Sequence, residues 1–167
     1  MIFRYLDKNF RENKEKFIGQ SILAGVSVGV ALLFFDVIKY PMIVASFGAS
    51  AFIAFTLPHS KMAGPRYLVG GYIVGVLAGC LIHFVTDLPV GFYPAQKMLY
   101  TIAGGLAVGL SMFIMTAFDA EHPPAAGIAL GFVLNEWTFM TVVLVLAGIV
   151  VISTIQRILK PRMIDLL

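Results

Sequence analysis

Apolar residues gather into six runs, at 18–35, 42–57, 67–86, 98–118, 123–134 and 138–156, and the charges and most prolines fall between them or at their ends. Four of the runs have the length needed to cross a bilayer core of about 30 Å at about 1.5 Å per helical residue. The second and fifth are short, and both begin at proline, Pro41 in one case and Pro123-Pro124 in the other. A helix cannot run through paired prolines, because each lacks an N–H and its ring clashes with the preceding turn, yet proline is well tolerated in a first turn. A new helix therefore starts at each of these places. The pattern predicts an all-α integral membrane protein with four long transmembrane helices and two short Pro-initiated ones.

The flanks of the two short runs echo each other. At a constant offset of 83, Phe35, Asp36, Pro41 and Gly48 match Phe118, Asp119, Pro124 and Gly131. Gly25-Val-Ser-Val-Gly29 matches Gly105-Leu-Ala-Val-Gly109 with an insertion, and Val76-Leu-Ala-Gly79 matches Val145-Leu-Ala-Gly148. In this order the echoes describe a duplicated unit of a long, a short and a long run, at 18–86 and 98–156. If all three runs of a unit cross the membrane, the odd number turns the second copy over, giving two inverted repeats of the kind many transporters use.

Composition agrees with a membrane chain: of 167 residues 59% are hydrophobic and 13% charged, with a mean hydropathy of +0.91. The net charge of +3 is not a nucleic-acid footprint, because the charges sit at the ends of runs. They report orientation instead. With six crossings and the N-terminus inside, all twelve Lys/Arg except Lys39 and Lys97 lie inside. If the two short runs re-enter instead, Lys61 and Arg66 move outside and Lys97 inside, so charge favours six crossings only modestly, and both schemes keep the two termini cytoplasmic. Residues 1–17 read as a cytoplasmic amphipathic arm and 157–167 as a basic cytoplasmic tail. The first run has a poor cleavage site after it, Phe34-Phe35-Asp36, and is expected to be a retained span. Cys80 stands alone, so no intrachain disulfide can form.

Small residues four apart allow close helix contact in lipid, which applies to Gly25 and Gly29 and, more strongly, to Gly71, Gly75 and Gly79. His83 reads as a packed or headgroup-level residue, and the charge-free last run as a lipid-facing wall. Six thin crossings with so many small-residue faces suggest a homo-oligomer.

Irregular backbone at membrane depth is tolerated where it is buried in protein or lines a wet cavity, and proline-broken segments in corresponding places of two halves point to a transport site. Around the first stand Lys39, Ser46, Gly48, Ala49 and Ser50; around the second stand His122, Pro123, Pro124, Ala125 and Gly127. Small residues let a solute approach the backbone, hydroxyls donate hydrogen bonds, and a helix N-terminus offers amide donors and positive potential. Two such ends meeting in one pocket would suit a small inorganic anion. His122 either adds a charge or proton relay, or serves as a cap in the loop with Asp119 and Glu121. Asp36 and Asp119 are expected to be N-caps of the short helices. No metal-ligand spacing, glycine-rich phosphate loop or nucleophile elbow is present, so neither a cofactor nor an enzyme is expected.

His122-Pro-Pro-Ala-Ala126, with Ser46-Phe-Gly-Ala-Ser50 and Pro58-His-Ser60, resembles the HPP family of integral membrane proteins over roughly residues 18–156. That family is described as having four membrane spans, and some plastid and cyanobacterial members are associated with nitrite transport. The resemblance therefore implies a transporter or channel for a small anion such as nitrite, in a bacterial inner membrane. Two alternatives remain: a membrane-embedded metal-dependent enzyme using His122, Glu121, Asp119 and His59, and a structural membrane subunit with no pathway.

Overall fold

The computed structural model describes residues 8–33, 39–86 and 93–167. They form α1 (Lys8–Glu12), α2 (Lys14–Leu32), α3 (Pro41–Thr56), α4 (Pro65–Thr86), α5 (Tyr93–Ala117), α6 (Pro123–Leu134) and α7 (Phe139–Leu159), with single 3-10 turns at Lys61–Ala63 and Lys160–Arg162. Among the described residues there is no strand. Helices α2, α4, α5 and α7 are long and apolar enough to cross a membrane; α3 and α6 are the shorter apolar helices. Each short helix carries proline in its first turn, as the breaks at Pro41 and Pro123 demand.

Side-chain contacts define two faces of the bundle. One, the tail face, gathers α1, the start of α2 and the C-terminal tail: Asn9 Nδ2 donates to Asp165 O (3.1 Å), Lys16 Nζ to Arg162 O (2.9 Å), and Leu166 N to Thr56 O (2.7 Å) at the end of α3. Gln20, almost fully buried, donates to Phe55 O (2.6 Å) and Ile164 O (2.9 Å). At the far face, Tyr40 before α3 meets Thr141 at the start of α7 (3.4 Å between hydroxyl oxygens). Helix α3 therefore runs from one face to the other rather than turning back. Helix α6 does the same, from the tail-face cluster around Asp119 to the far end of α4, where His83 Nδ1 lies 3.4 Å from Val133 O and its ring packs on Trp137 (5.5 Å between centroids). All six helices α2 to α7 thus run between the two faces, the order that six crossings require, and His83 is packed as expected.

The charge-free last run faces outward on one side only. In α7 Val145, Gly148, Ile149, Ile152 and Gln156 are buried, and the helix packs on α2, α3 and α4. In lipid both the core face and the outer face of a helix are apolar, so absence of charge does not say which way a helix looks. The peripheral helices are α2 and α5, which bury less of their length than α4 or α7. Accordingly Gly25 and Gly29 do not mediate a close contact within the chain; a Cβ at either would meet nothing within 4 Å.

Asp119 is not an N-cap. It ends α5 in the left-handed region (φ 48°), with Asp119 N donating to Thr116 O (3.3 Å) and Ala120 N to Met115 O (2.9 Å), the bonding pattern of a helix C-terminal turn. A short polar side chain tolerates that conformation. The N-cap of α6 is His122, and no side chain caps it. Asp36, the other expected cap, lies outside the described residues.

Candidate functional site

The glycines of α4 position the site. A Cβ at Gly71 would lie 2.5 Å from His122 Cβ, one at Gly79 would lie 2.6 Å from Ala129 O, and one at Gly75 would strike Ala125 O. Helices α4 and α6 thus touch backbone to backbone, as the Gly71, Gly75, Gly79 spacing predicts. This contact sets the His122 ring against Tyr72 (5.9 Å between centroids), and α3 brings Ser50 between them. His122 Nε2 lies 2.8 Å from Ser50 Oγ, and Ser50 Oγ lies 2.9 Å from Tyr72 Oη; all three residues are 0% exposed.

Proton counting fixes the direction of this chain. If Tyr72 donates to Ser50 and Ser50 donates to Nε2, both hydroxyl protons are used, and His122 is a neutral imidazole with its proton on Nδ1. If Nε2 donates instead, Ser50 either donates to Tyr72 and leaves the Tyr72 O–H unpaired, or accepts from both neighbours and leaves its own O–H unpaired, and in each case a bare Nδ1 is buried and unpaired as well. Each unpaired buried polar group costs about 1–3 kcal/mol, so the first arrangement is favoured. It leaves one unsatisfied donor, the Nδ1–H, and His122 Nδ1 has no partner among the described residues.

His122 also lines an apolar cavity of about 310 Å³ with Met112, Met115, Thr116, Glu121 and Pro123. Glu121 Oε2 is the other buried polar atom there without a hydrogen bond, although Lys61 Nζ stands 3.7 Å away at the tail face. Beside it, Tyr67 Oη donates to both carboxylate oxygens of Asp119 (3.0 Å each), and Lys61 and Arg66 each stand 3.6 Å off. The Tyr67 hydrogen bond, with help from the two cations, holds the Asp119 carboxyl below its ordinary value of 3.8, while Glu121 foremost raises Lys61. A carboxyl whose pKa is lowered by folding stabilises the fold above its unfolded pKa and stops doing so as pH falls through its folded value. The thermal midpoint should therefore drop on acidification below 3.8, and drop less in Asp119→Asn, which keeps the left-handed turn but not the charge; equal drops would remove Asp119 from the account.

The expected pairing of two helix N-termini is not found. Ser46 faces Gly127, and Met42 and Ile43 face Gly131, so α3 and α6 run antiparallel and their proline-led ends lie at opposite faces. The α6 end is also a poor amide seat: Pro123 and Pro124 have no N–H, and Ala125 N is already bonded to His122 O (2.8 Å). The donor at that end is the imidazole.

Of the ten residues expected at the site, the structure brings Ser50 and His122 into direct contact. Ser46, Ala49, Pro123, Pro124 and Gly127 line a separate cleft of about 330 Å³ between α3 and α6, where Ser46 Oγ donates to its own helix at Met42 O (2.9 Å). Ala125 packs against Gly71 and Gly75. Gly48 faces away, into the α2–α3 groove, and Lys39 is at the far face, its Nζ 5.4 Å from the Tyr40 ring centroid. The last two belong elsewhere because α3 presents opposite sides at Gly48 and Ser50 and begins at the wrong face. His59, one of the alternative metal ligands, pairs with Asp165 (3.4 Å) rather than with His122. Tyr72 was not anticipated; its one signal is a hydroxyl inside a glycine-striped apolar run.

These features define an all-helical integral membrane protein with a histidine-centred polar core at the crossing of two proline-led helices. The chain belongs to the HPP family: the family model described as HPP, transmembrane region, matches residues 10–162. Two transmembrane proteins of Dictyostelium discoideum are similar to it, one 32% identical over 89 residues and the other 35% identical over 88, each match covering 53% of this chain. The chain spans less than a third of the length of these relatives, the matches covering 29% and 26% of them. No solved structure matches.

Proposed function

We propose that this chain is a transporter or channel, not an enzyme, that carries a small nitrite-like inorganic anion across the bilayer, with His122 as the group that receives it. The observation that carries this reading is the orphaned His122 Nδ1, in an imidazole that is 0% exposed and lines a cavity beside the tail face. A neutral N–H donor in an apolar setting offers an anion a strong hydrogen bond without the desolvation cost of a buried full charge. Lys61 offsets the Glu121 carboxylate at the same cavity.

The packing supports two inverted halves. Exchanging α2 with α5, α3 with α6 and α4 with α7 turns the set of principal packed helix pairs into itself. The echoed glycines obey the same exchange: Gly79 of α4 presses on Phe132 of α6, and Gly148 of α7 on Phe47 of α3. The crowding of Lys and Arg at the tail face supports cytoplasmic termini, and the membrane of the proposal is a bacterial inner membrane. Open glycines outside the interhelical grooves, Gly29 on α2 and Gly109 on α5, leave room for a homo-oligomer with one pathway per subunit.

Nitrite, nitrate, chloride and sulfate uptake into proteoliposomes at two pH values tests the reading. Nitrite entry well above that of protein-free vesicles is expected, and entry equal to theirs for every anion would end it.

A further inference from the structure

A second feature has no part in that pathway. Between α5 and α6 at the far face runs a groove of about 590 Å³. Its mouth carries Lys97 and Tyr100, in the first turns of α5, with Leu134 at the end of α6, and its deeper wall is Gly105 and Leu130. Lys97 is exposed, and a Cβ at Gly105 would meet nothing within 4 Å. Polarity therefore falls from a cation at the membrane surface to an apolar trough, the profile of an amphiphile with an anionic head.

The corresponding groove of the other half indicates what such a trough accepts. Between α2 and α3, at the tail face, a groove of about 420 Å³ is lined by Gly25 and Gly48, and Leu166 of the C-terminal tail enters it. Leu166 is buried, while the polar backbone of the segment is held at the mouth by Thr56 O (2.7 Å from Leu166 N) and Gln20 Nε2 (2.9 Å from Ile164 O). An extended apolar group with a polar end is seated along that groove. The α5–α6 groove has no such segment among the described residues, and it carries the Lys97 ammonium at its mouth.

We infer that the α5–α6 groove holds one anionic phospholipid, its phosphate on Lys97 and Tyr100 and an acyl chain along Gly105, Leu130 and Leu134. Lipid chains gain little from leaving other lipid for an apolar wall, so selectivity comes from the head group and from the fit of the trough. A cation near the surface contributes about 1 kcal/mol toward an anionic lipid, which is about a fivefold change in binding.

Native mass spectrometry of the purified full chain with added palmitoyl-oleoyl phosphatidylglycerol tests this, with thermal unfolding as the check on folding. Wild type should retain one lipid, Lys97→Gln should bind it about fivefold more weakly, and Gly105→Leu, whose side chain fills the trough, should not retain it. Gly25→Leu, an equally open site in the other half, should bind as wild type does. Retention by Gly105→Leu equal to wild type, or equal loss in Gly25→Leu, would overturn the assignment. So would binding of soluble glycerol phosphate as tight as that of the lipid, which would make the site one for a free phosphate.

Discussion

Gly75→Leu should be the most damaging single change in the molecule, lowering stability by at least about 3 kcal/mol, at or beyond the upper end of ordinary overpacking. Where a side chain meets the flexible end of another, rotamer changes absorb the clash. At Gly75 it meets the Ala125 carbonyl, part of the α6 backbone. Relief requires α4 and α6 to move apart, which also pulls His122 from Ser50. Gly105→Leu is the matched control, because its side chain enters open space; its stability should change by no more than about 0.5 kcal/mol. Thermal unfolding of the two purified variants in one detergent checks the pair, and similar midpoints would show that the α4–α6 contact is looser than described.

Replacing His122 by Ala should reduce anion flux by on the order of tenfold to a hundredfold, the equivalent of losing a charge-assisted hydrogen bond of about 1.5–3 kcal/mol. The neighbours of His122 set a graded order. Ser50→Ala removes the donor that holds Nε2 as an acceptor, so the Nδ1–H tautomer is no longer enforced, and flux should fall, though less than in His122→Ala. Tyr72→Phe leaves Ser50 free to go on donating to His122, so its effect should be the smallest. Flux loss in Tyr72→Phe as large as in His122→Ala would contradict this directionality. Unchanged flux in both His122→Ala and the double change of Pro123 and Pro124 to alanine would remove the site altogether.

The large features of this fold were legible because lipid makes them so. Chain breaks at Pro41 and Pro123-Pro124, charges confined to run ends and the Gly71, Gly75, Gly79 repeat each have one physical reading, and the helices begin or pack where these say. What a helix faces was not legible. The pattern of α7 is apolar all round, and nothing in it separates Val145, which is buried, from Val150, which is exposed. Where the short helices meet was not legible for a related reason. An inverted repeat already turns α6 against α3, and only the packing of Gly127 on Ser46 and of Gly131 on Ile43 shows that they lie side by side with their starts at opposite faces.

Within the site, Ser50 and His122 were both picked out for their chemistry, but the 2.8 Å contact between them spans 72 residues of chain and depends on Gly71 for room. Asp119 was taken for a cap from its place before prolines, and the turn that ends α5 claimed it first. Local signals competed there, and the helix that ends prevailed over the helix that begins.

The state of His122 is the point on which the functional reading turns. Nitrogen-15 NMR of histidine-labelled protein in lipid, with His122→Gln to assign the signal, reads both ring nitrogens at once. The account predicts a neutral ring protonated at Nδ1 with Nε2 accepting from Ser50, and a shift of the Nδ1 resonance when nitrite is added. A proton resident on Nε2, or a Nδ1 signal that nitrite leaves unmoved, would contradict it.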